Sequence, residues 1–524
     1  MRKLYGLAGL THGFIIRSNA SKFPGKPAVV DIERNRRLTY AQLNDRVNRL
    51  ANALAGMGVG KGGKVALLMR DRLEFIEIMY AVNKIGAVWV PINYRSIAGD
   101  IEFVVKHSDA VCLFFEGSYS ADIDNLKPGL NIRPNRYVVI DGGRAGDYPD
   151  YEELLAKASP SEPDGDALAD TDLCSMIYTS GTTGGPKGAM RTHRTSLGWA
   201  FDAIIGFHMG FDDRVLTHFP LFHQGGSVLS ICTLTLGATV YIPGAFDPRK
   251  TLKIIQDEGI TTGAFPATVS NFLMKLSPVE RAGYEVSSMR RIINGASALM
   301  SDTKESLLKY YTNAQLYDHL SCTEAFYTVL PAIDARRKDR CVGLPGFGME
   351  VRLLNDDLED VRPGEPGIIY GRGISVFDGY YKNPEANVKA FAGEWFTAED
   401  IGRFDGEGYL YVIDRKKDMI LSGGENISSI EVENVILNHP GVMEVAAVGV
   451  PDSTWGEHVH VLVVLKAGEA VAEEEIIDWC KDKLAGFKRP RSVEFLPQLP
   501  RNASGKILKR ELRDSYWAGR EVRV

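Results

Sequence analysis

Residues 39–91 read TYAQLNDRVNRLANALAGMGVGKGGKVALLMRDRLEFIEIMYAVNKIGAVWVP, and this stretch decides the fold. Leu43, Val47, Leu50 and Leu54 recur at spacings of four, three and four, which places them on one helix face, and Thr39 stands where an N-cap hydroxyl belongs. Glycines at 56, 58, 60, 62 and 63 end that helix. Val65–Met69 then reads as a buried strand, Leu73–Ile85 as a second amphipathic helix and Val88–Pro91 as a further strand. Strands separated by helices join as parallel neighbours through crossovers, so the expectation is α/β, a sheet covered by helices.

Outward from this segment the pattern changes twice. Between Gly343 and Tyr411, short strands such as Glu350–Leu354 and Gly367–Tyr370 alternate with turns rich in Gly, Pro and Asp, which predicts an antiparallel, β-barrel-like piece. The last ~110 residues read as a compact α+β unit. A helix over Ile430–Asn438 stops at Pro440, strands follow over Val445–Val450 and His458–Leu465, and a helix covers Glu473–Lys483. At roughly 100–200 residues per domain, 524 residues exceed one compact core. The most apolar long stretch, Gly225 to Ile242, is broken by Ser, Thr and Gly, so it reads as a buried strand or helix and not a transmembrane segment.

Composition excludes several classes. With 44% hydrophobic and 24% charged residues the chain is globular, not disordered, collagen-like or coiled-coil. Its 67 acidic and 61 basic residues leave a net charge of −6, which gives no electrostatic footprint for nucleic acid. The six cysteines form no CxxC pair, which favours free thiols in a reducing compartment, the cytoplasm. The amino-terminal residues lack the clean apolar core and small-residue cleavage site of a signal peptide.

The strongest chemical signal is Tyr178-Thr-Ser-Gly-Thr-Thr-Gly-Gly-Pro-Lys-Gly188, directly after the apolar run Leu173–Ile177. Its glycines let main-chain N–H groups approach an anion, the hydroxyls of Thr179, Ser180, Thr182 and Thr183 add donors, and Lys187 adds charge. It is not a Walker A loop, because Pro186 precedes the lysine and Gly188 follows it. A phosphate-cradling loop is the functional reading.

This segment resembles the signature loop of the adenylate-forming superfamily, which comprises acyl- and aryl-CoA synthetases, nonribosomal-peptide adenylation domains and firefly-type luciferases. Further motifs of that superfamily recur in order from about Leu38 to Arg510. Asn294-Gly-Ala-Ser-Ala-Leu299 resembles the segment that packs beside adenine and the substrate pocket, which implies nucleotide contacts for Gly295, Ala296 and Ser297. Leu320-Ser-Cys-Thr-Glu324 resembles Tyr-Gly-x-Thr-Glu, implying that Thr323 contacts phosphate, Glu324 holds Mg²⁺ and Leu320 faces adenine where an aromatic is usual. A carboxylate suits a hard cation bridging phosphates. In Trp395-Phe-Thr-Ala-Glu-Asp400, Asp400 matches the carboxylate that accepts ribose hydroxyls, while Ala398 and Glu399 replace the usual Thr and Gly.

The resemblance continues toward the carboxyl terminus. Arg415 matches the arginine that contacts ribose and phosphate, and Lys417 falls at the hinge between the two domains of the superfamily. Leu421-Ser-Gly-Gly-Glu-Asn-Ile427, with Gly423 and Gly424, resembles the loop that lines the CoA tunnel. Pro500-Arg-Asn-Ala-Ser-Gly-Lys506 resembles the motif of the catalytic lysine. Phe219-Pro-Leu-Phe-His-Gln-Gly-Gly226 resembles the acyl-site motif, which implies substrate contacts for Phe222, His223 and Gly225; Phe326 and Tyr327 are further pocket candidates. Amino-acid-activating members carry Phe-Asp near Phe222-His223, and without that Asp a buried ammonium would go unpaired, so an amino-acid substrate is disfavoured.

The resemblance thus implies a large N-terminal domain (1–415) of helix-covered sheets plus the barrel-like subdomain, and a small mobile α+β C-terminal domain (416–524) carrying Lys506. The implied activity is ATP-dependent ligation of a fatty or aromatic acid to CoA through an acyl-AMP, with Mg²⁺. Two alternatives stay open: an acyl-AMP ligase that loads a carrier protein, and a catalytically reduced acyl- or nucleotide-binding protein, to which Leu320, Ser321, Ala398 and Glu399 lend support. Expected partners are the acid, ATP and CoA, with a homodimer left open.

Overall fold

The computed structural model describes residues 9–141, 148–163, 168–179, 186–295, 299, 301–501 and 507–518. The chain divides into two compact units, one of residues 1–350 with 371–396 and the other of 351–370 with 397–524.

In the first unit the opening helix spans Tyr40–Gly56. Thr39 accepts from the Gln42 N–H at 3.3 Å, and the Gln42 side chain accepts in return from the Thr39 N–H at 2.9 Å. This capping box satisfies two of the orphan donors at the helix start. Leu43, Val47, Leu50 and Leu54 are all fully buried, as their spacing predicts. The strands Lys64–Leu68, Val88–Ile92, Ala110–Glu116 and Tyr137–Ile140 pair in parallel, and Val88–Ile92 is parallel in turn to Leu173–Thr179. Lys187–Thr192 closes the edge of this sheet antiparallel to Leu173–Thr179. A second sheet contains the parallel strands Arg214–Thr217, Thr239–Ile242, Thr262–Pro266, Arg291–Gly295 and Gln315–Ser321, continued at one side by antiparallel Phe326–Leu330 and then Leu344–Pro345.

The helix expected over Leu73–Ile85 spans Leu73–Lys84 but is not amphipathic, because every residue in it is buried. Its polar side is neutralised, not solvated. Glu74 pairs with Arg72 at 2.7 Å and also with Arg36, while Glu77 pairs with Arg46 and accepts from the Tyr151 hydroxyl at 2.7 Å. The apolar stretch 225–242 resolves into a buried helix, Gln224–Leu236, and a strand, Thr239–Ile242. Gly237 joins them with φ +76°, where a Cβ would lie 2.5 Å from the Phe23 ring. No helix among the described residues is long and apolar enough to cross a membrane.

In the second unit Asp400–Phe404 pairs antiparallel with Leu410–Arg415, and Gly367–Ile368 pairs antiparallel with Ile401–Gly402. Val442–Asp452 and Gly456–Leu465 form a long antiparallel hairpin, joined by Ser492–Phe495 in parallel. Both faces of the hairpin are buried. Val445, Ala447, Val459 and Val461 face one core with the helix Ser429–Leu437, while Ala446, Val448, Val450 and Leu462 face another with Leu512. Burial on both faces explains the nearly continuous apolar run. The helix expected to reach Lys483 ends at Trp479, whose indole N–H donates to Val435 O at 2.9 Å.

Candidate functional site

In the first unit, Thr179 and Lys187 sit directly opposite each other in the antiparallel pair. The segment between them leaves from the carboxyl end of a strand in a mainly parallel sheet, the edge at which such sheets bind ligands. Ser180, Gly181, Thr182 and Thr183 lie outside the described residues, as do Ala296 and Ser297.

Lys187 Nζ lies 5.1 Å from the centroid of the Tyr380 ring, and the Tyr380 hydroxyl donates to Glu324 Oε1 at 2.9 Å. The two sequence-predicted residues Lys187 and Glu324 are therefore joined through a third that the motifs did not single out. Tyr380 reaches them because residues 378–381 run along the free edge of Lys187–Thr192. Met190 N–H donates to Gly379 O and Tyr381 N–H to Gly188 O, both at 2.9 Å. Thr323 and Glu324 are buried, and Phe377 N–H donates to Glu324 O at 2.8 Å. Glu324 fits a hard cation. One carboxylate oxygen takes the Tyr380 hydroxyl, and the other takes no hydrogen bond from a described residue.

Gly295 ends the strand Arg291–Gly295, where a Cβ would stand 2.6 Å from His319 Cε1. The His319 ring stacks on Phe326 with centroids 5.5 Å apart, and Phe326 also meets Trp199 edge-on at 4.8 Å. Burial pushes His319 down to about 4, so its imidazole is neutral, and Nδ1 has no hydrogen-bond partner among the described residues. Tyr327, the next residue, packs instead against Phe396, so the two aromatic candidates do not share one contact set. Leu320 is half-buried on the same strand as His319.

Asp318 is pushed up to about 7, chiefly by burial, although it accepts from Asn294 Nδ2 at 3.2 Å and from His319 N–H at 2.9 Å. A carboxyl raised in the folded state favours the protonated form, so its cost to stability grows as pH rises from the ordinary carboxylate range to about 7 and is then constant. Asp318→Asn keeps an acceptor for both donors and removes that cost. It will be more stabilising at pH 8 than at pH 5 by about 1–3 kcal/mol in urea unfolding. An equal effect at both pH values would show that this carboxyl titrates normally.

His223 is the N-cap of the helix Gln224–Leu236, where its Nδ1 accepts from Gly225 N–H at 3.4 Å. Burial pushes it down to about 4, so it offers a neutral imidazole and no positive charge. Phe222 meets Tyr94 edge-on at 5.5 Å, and a Cβ on Gly225 would lie 3.1 Å from Phe219 Cδ1.

In the second unit Asp400 and Arg415 face each other across the strand pair, with Oδ1 and Nε 3.2 Å apart. Asp400 is buried, and the Arg415 side chain is one-third exposed, so the pair can offer acceptors to hydroxyls and donors to an anion. Lys417 lies in the turn after Arg415, its carbonyl accepting from Arg513 Nη1 at 3.0 Å and its ammonium lowered by burial. Gly423 and Gly424 form the two-residue turn of a hairpin in which Ser422 pairs with Glu425; their φ values of +61° and +85° suit a type I′ turn. Lys506 lies outside the described residues.

The AMP-binding enzyme family matches residues 16–381, and the AMP-binding enzyme C-terminal domain matches residues 431–506. The chain belongs to this family, the adenylate-forming acyl-CoA synthetase superfamily. It is 34% identical to the long-chain-fatty-acid–CoA ligase FadD13 of Mycobacterium tuberculosis, over 97% of this chain and 98% of that protein. Among solved structures it resembles the anthranilate CoA ligase AuaEII in complex with anthranoyl-AMP, with a TM-score of 0.88, 27% identity and coverage of 98% of both chains. It also resembles the O-succinylbenzoate coenzyme A synthetase MenE of Bacillus subtilis in complex with ATP and magnesium ion, with a TM-score of 0.83, 27% identity and coverage of 95% of this chain and 98% of that one.

Proposed function

We propose that the protein is an ATP-dependent acid–CoA ligase for a fatty or aromatic acid. The observation that carries this reading is the cluster of Lys187, Tyr380 and Glu324 at the carboxyl edge of a sheet, in a chain of the AMP-binding enzyme family. A free carboxylate acylates a thiol poorly because its leaving group is oxide. Attack by the carboxylate on the α-phosphorus of ATP expels pyrophosphate and makes an acyl-AMP; CoA sulfur then attacks the acyl carbon and AMP leaves. The first attack brings anions together, so fixed positive charge and donors lower its barrier. Lys187 and Lys506 supply charge, Thr179 and Thr323 with the segment 180–183 supply donors, and Asp400 with Arg415 holds the ribose side. Gly295, Ala296, Ser297 and Leu320 flank the base, and Phe222, His223, Gly225 and Phe326 form the acid side. Mg²⁺, held by Glu324, neutralises polyphosphate charge when bound.

The two half-reactions need different groups. Lys506 serves the first and the Gly423–Gly424 hairpin the second, with Lys417 as the hinge that exchanges them and with domains divided near 415. Proline at 417 fixes φ in that turn. Lys417→Pro should leave ATP–pyrophosphate exchange within ~3-fold of the parent and lower CoA-dependent AMP release by about 10-fold or more. Unchanged release would remove the hinge role.

The reading as a whole is tested by mixing the protein with ATP, Mg²⁺ and a panel of fatty and aromatic acids. Acid-dependent exchange of labelled pyrophosphate into ATP, followed by CoA-dependent AMP release, is the expected result. No exchange with any acid would refute adenylation, and exchange without CoA-dependent release would refute CoA as acceptor.

A further inference from the structure

Arg191 lies on the strand Lys187–Thr192, four residues past the signature lysine, and is 1% exposed. Among the described residues its guanidinium donates only to main-chain carbonyls. Nε and Nη2 reach Thr323 O at 3.2 and 2.7 Å, and Nη1 reaches Ser375 O at 2.9 Å and Thr195 O at 3.1 Å. Three separate segments of the first unit are thus tied to one side chain, and the peptide it grips twice is the one that leads into Glu324. The planar fork makes this possible, since its donors have fixed directions.

The charge is as informative as the bonds. A buried cation normally sits against a carboxylate, because desolvating it alone is costly. Arg191 forms no ion pair with any described carboxylate, although Asp378 and Glu324 are close enough to act on it electrostatically. The Asp378 carboxylate is already engaged by Thr192 N–H and the Thr195 hydroxyl, each at 2.7 Å. Burial lowers Arg191 only to about 10, so it stays charged at neutral pH. Carbonyls satisfy its donors without cancelling its charge, and a fixed, uncancelled charge in a dry setting is what electrostatic preorganisation needs.

We infer that Arg191 is a positioning residue of the nucleotide site: its fork fixes the Thr323–Glu324 turn, and its unpaired charge favours a polyphosphate at that turn. The inference rests on the adenylation reading given above. It is tested by calorimetric binding of MgATP, without acid, and of adenosine to the full-length protein and to Arg191→Lys and Arg191→Gln, with folding checked by circular dichroism. Arg191→Gln should bind MgATP about 10-fold more weakly, and Arg191→Lys, which keeps the charge but loses the fork, should fall between Gln and the parent. Adenosine affinity should be the same in all three, because a structural defect would weaken nucleoside and triphosphate alike. Equal MgATP affinity in the Gln variant and the parent overturns the inference, as does an equal loss in Lys and Gln or a parallel loss for adenosine. Should the Gln variant not fold, the Lys variant decides: about 10-fold weaker MgATP binding with unchanged adenosine binding overturns the role of charge. A parent protein that binds no MgATP sinks the adenylation reading, and this inference with it; a parent that binds MgATP alongside an indifferent Gln variant sinks only the inference.

Discussion

Glu324→Gln will lower acid-dependent ATP–pyrophosphate exchange by roughly 10²–10³-fold while leaving the fold intact. Gln preserves the shape of the side chain, and its amide oxygen can still accept the Tyr380 hydroxyl that now reaches Oε1 at 2.9 Å. What it removes is the negative charge and the second oxygen, which takes no hydrogen bond from a described residue. A hard divalent cation prefers carboxylate to amide oxygen, so the variant should need more Mg²⁺ for half-maximal exchange. The melting temperature separates loss of function from loss of fold. Exchange within ~5-fold of the parent at the original Mg²⁺ concentration would mean that Glu324 is a structural carboxylate held by Tyr380, and the metal assignment would fall.

The parts of this molecule that were legible in its sequence are those decided within a few residues. The helix Tyr40–Gly56 was readable because its cap joins Thr39 to Gln42 and its buried face repeats every three or four positions. Gly423 and Gly424 were readable as a place of close backbone approach, and they form a turn with both φ values positive. The helix Leu73–Lys84 reads as amphipathic because Glu74 and Glu77 look like a solvated face, yet both are buried. Their neutralising partners include Arg36, Arg46 and Tyr151, which sequence spacing cannot place beside them.

The same division holds at the candidate site. Lys187, Thr323 and Glu324 stand in recognisable local patterns, but what joins them is long-range. Tyr380 meets Lys187 only because residues 378–381 pair with a strand almost two hundred positions earlier in the chain, and that pairing leaves no periodic trace. Arg191 reads as an ordinary charge between Met190 and Thr192, and its burial depends on Thr323 and Ser375. An arginine directly after Gly188, Ala189 and Met190 was the available hint, since a charge that closes a short apolar run is a candidate for burial. Asp318 and His319 carried less warning still, because their shifts follow from enclosure by Asn294, Gly295, Phe207 and Phe326.

Lys506→Ala will separate the two half-reactions. Acid-dependent exchange of pyrophosphate into ATP should fall by roughly 10²–10³-fold, the cost of removing one fixed group that stabilises developing charge. Thioester formation from synthetic acyl-AMP and CoA should stay within ~3-fold of the parent, because the leaving group is then already attached and the anionic encounter that needs the ammonium is over. Lys506→Arg is the companion variant. It keeps the charge but replaces a compact ammonium with a planar fork, so it should recover only part of the exchange if the ammonium must sit between two oxygen atoms. Equal loss of both half-reactions in Lys506→Ala would place the lysine in general nucleotide or acyl binding. An unaffected first step would move the catalytic charge elsewhere, with Lys187 as the next candidate, since its ammonium lies 5.1 Å from the ring whose hydroxyl binds Glu324.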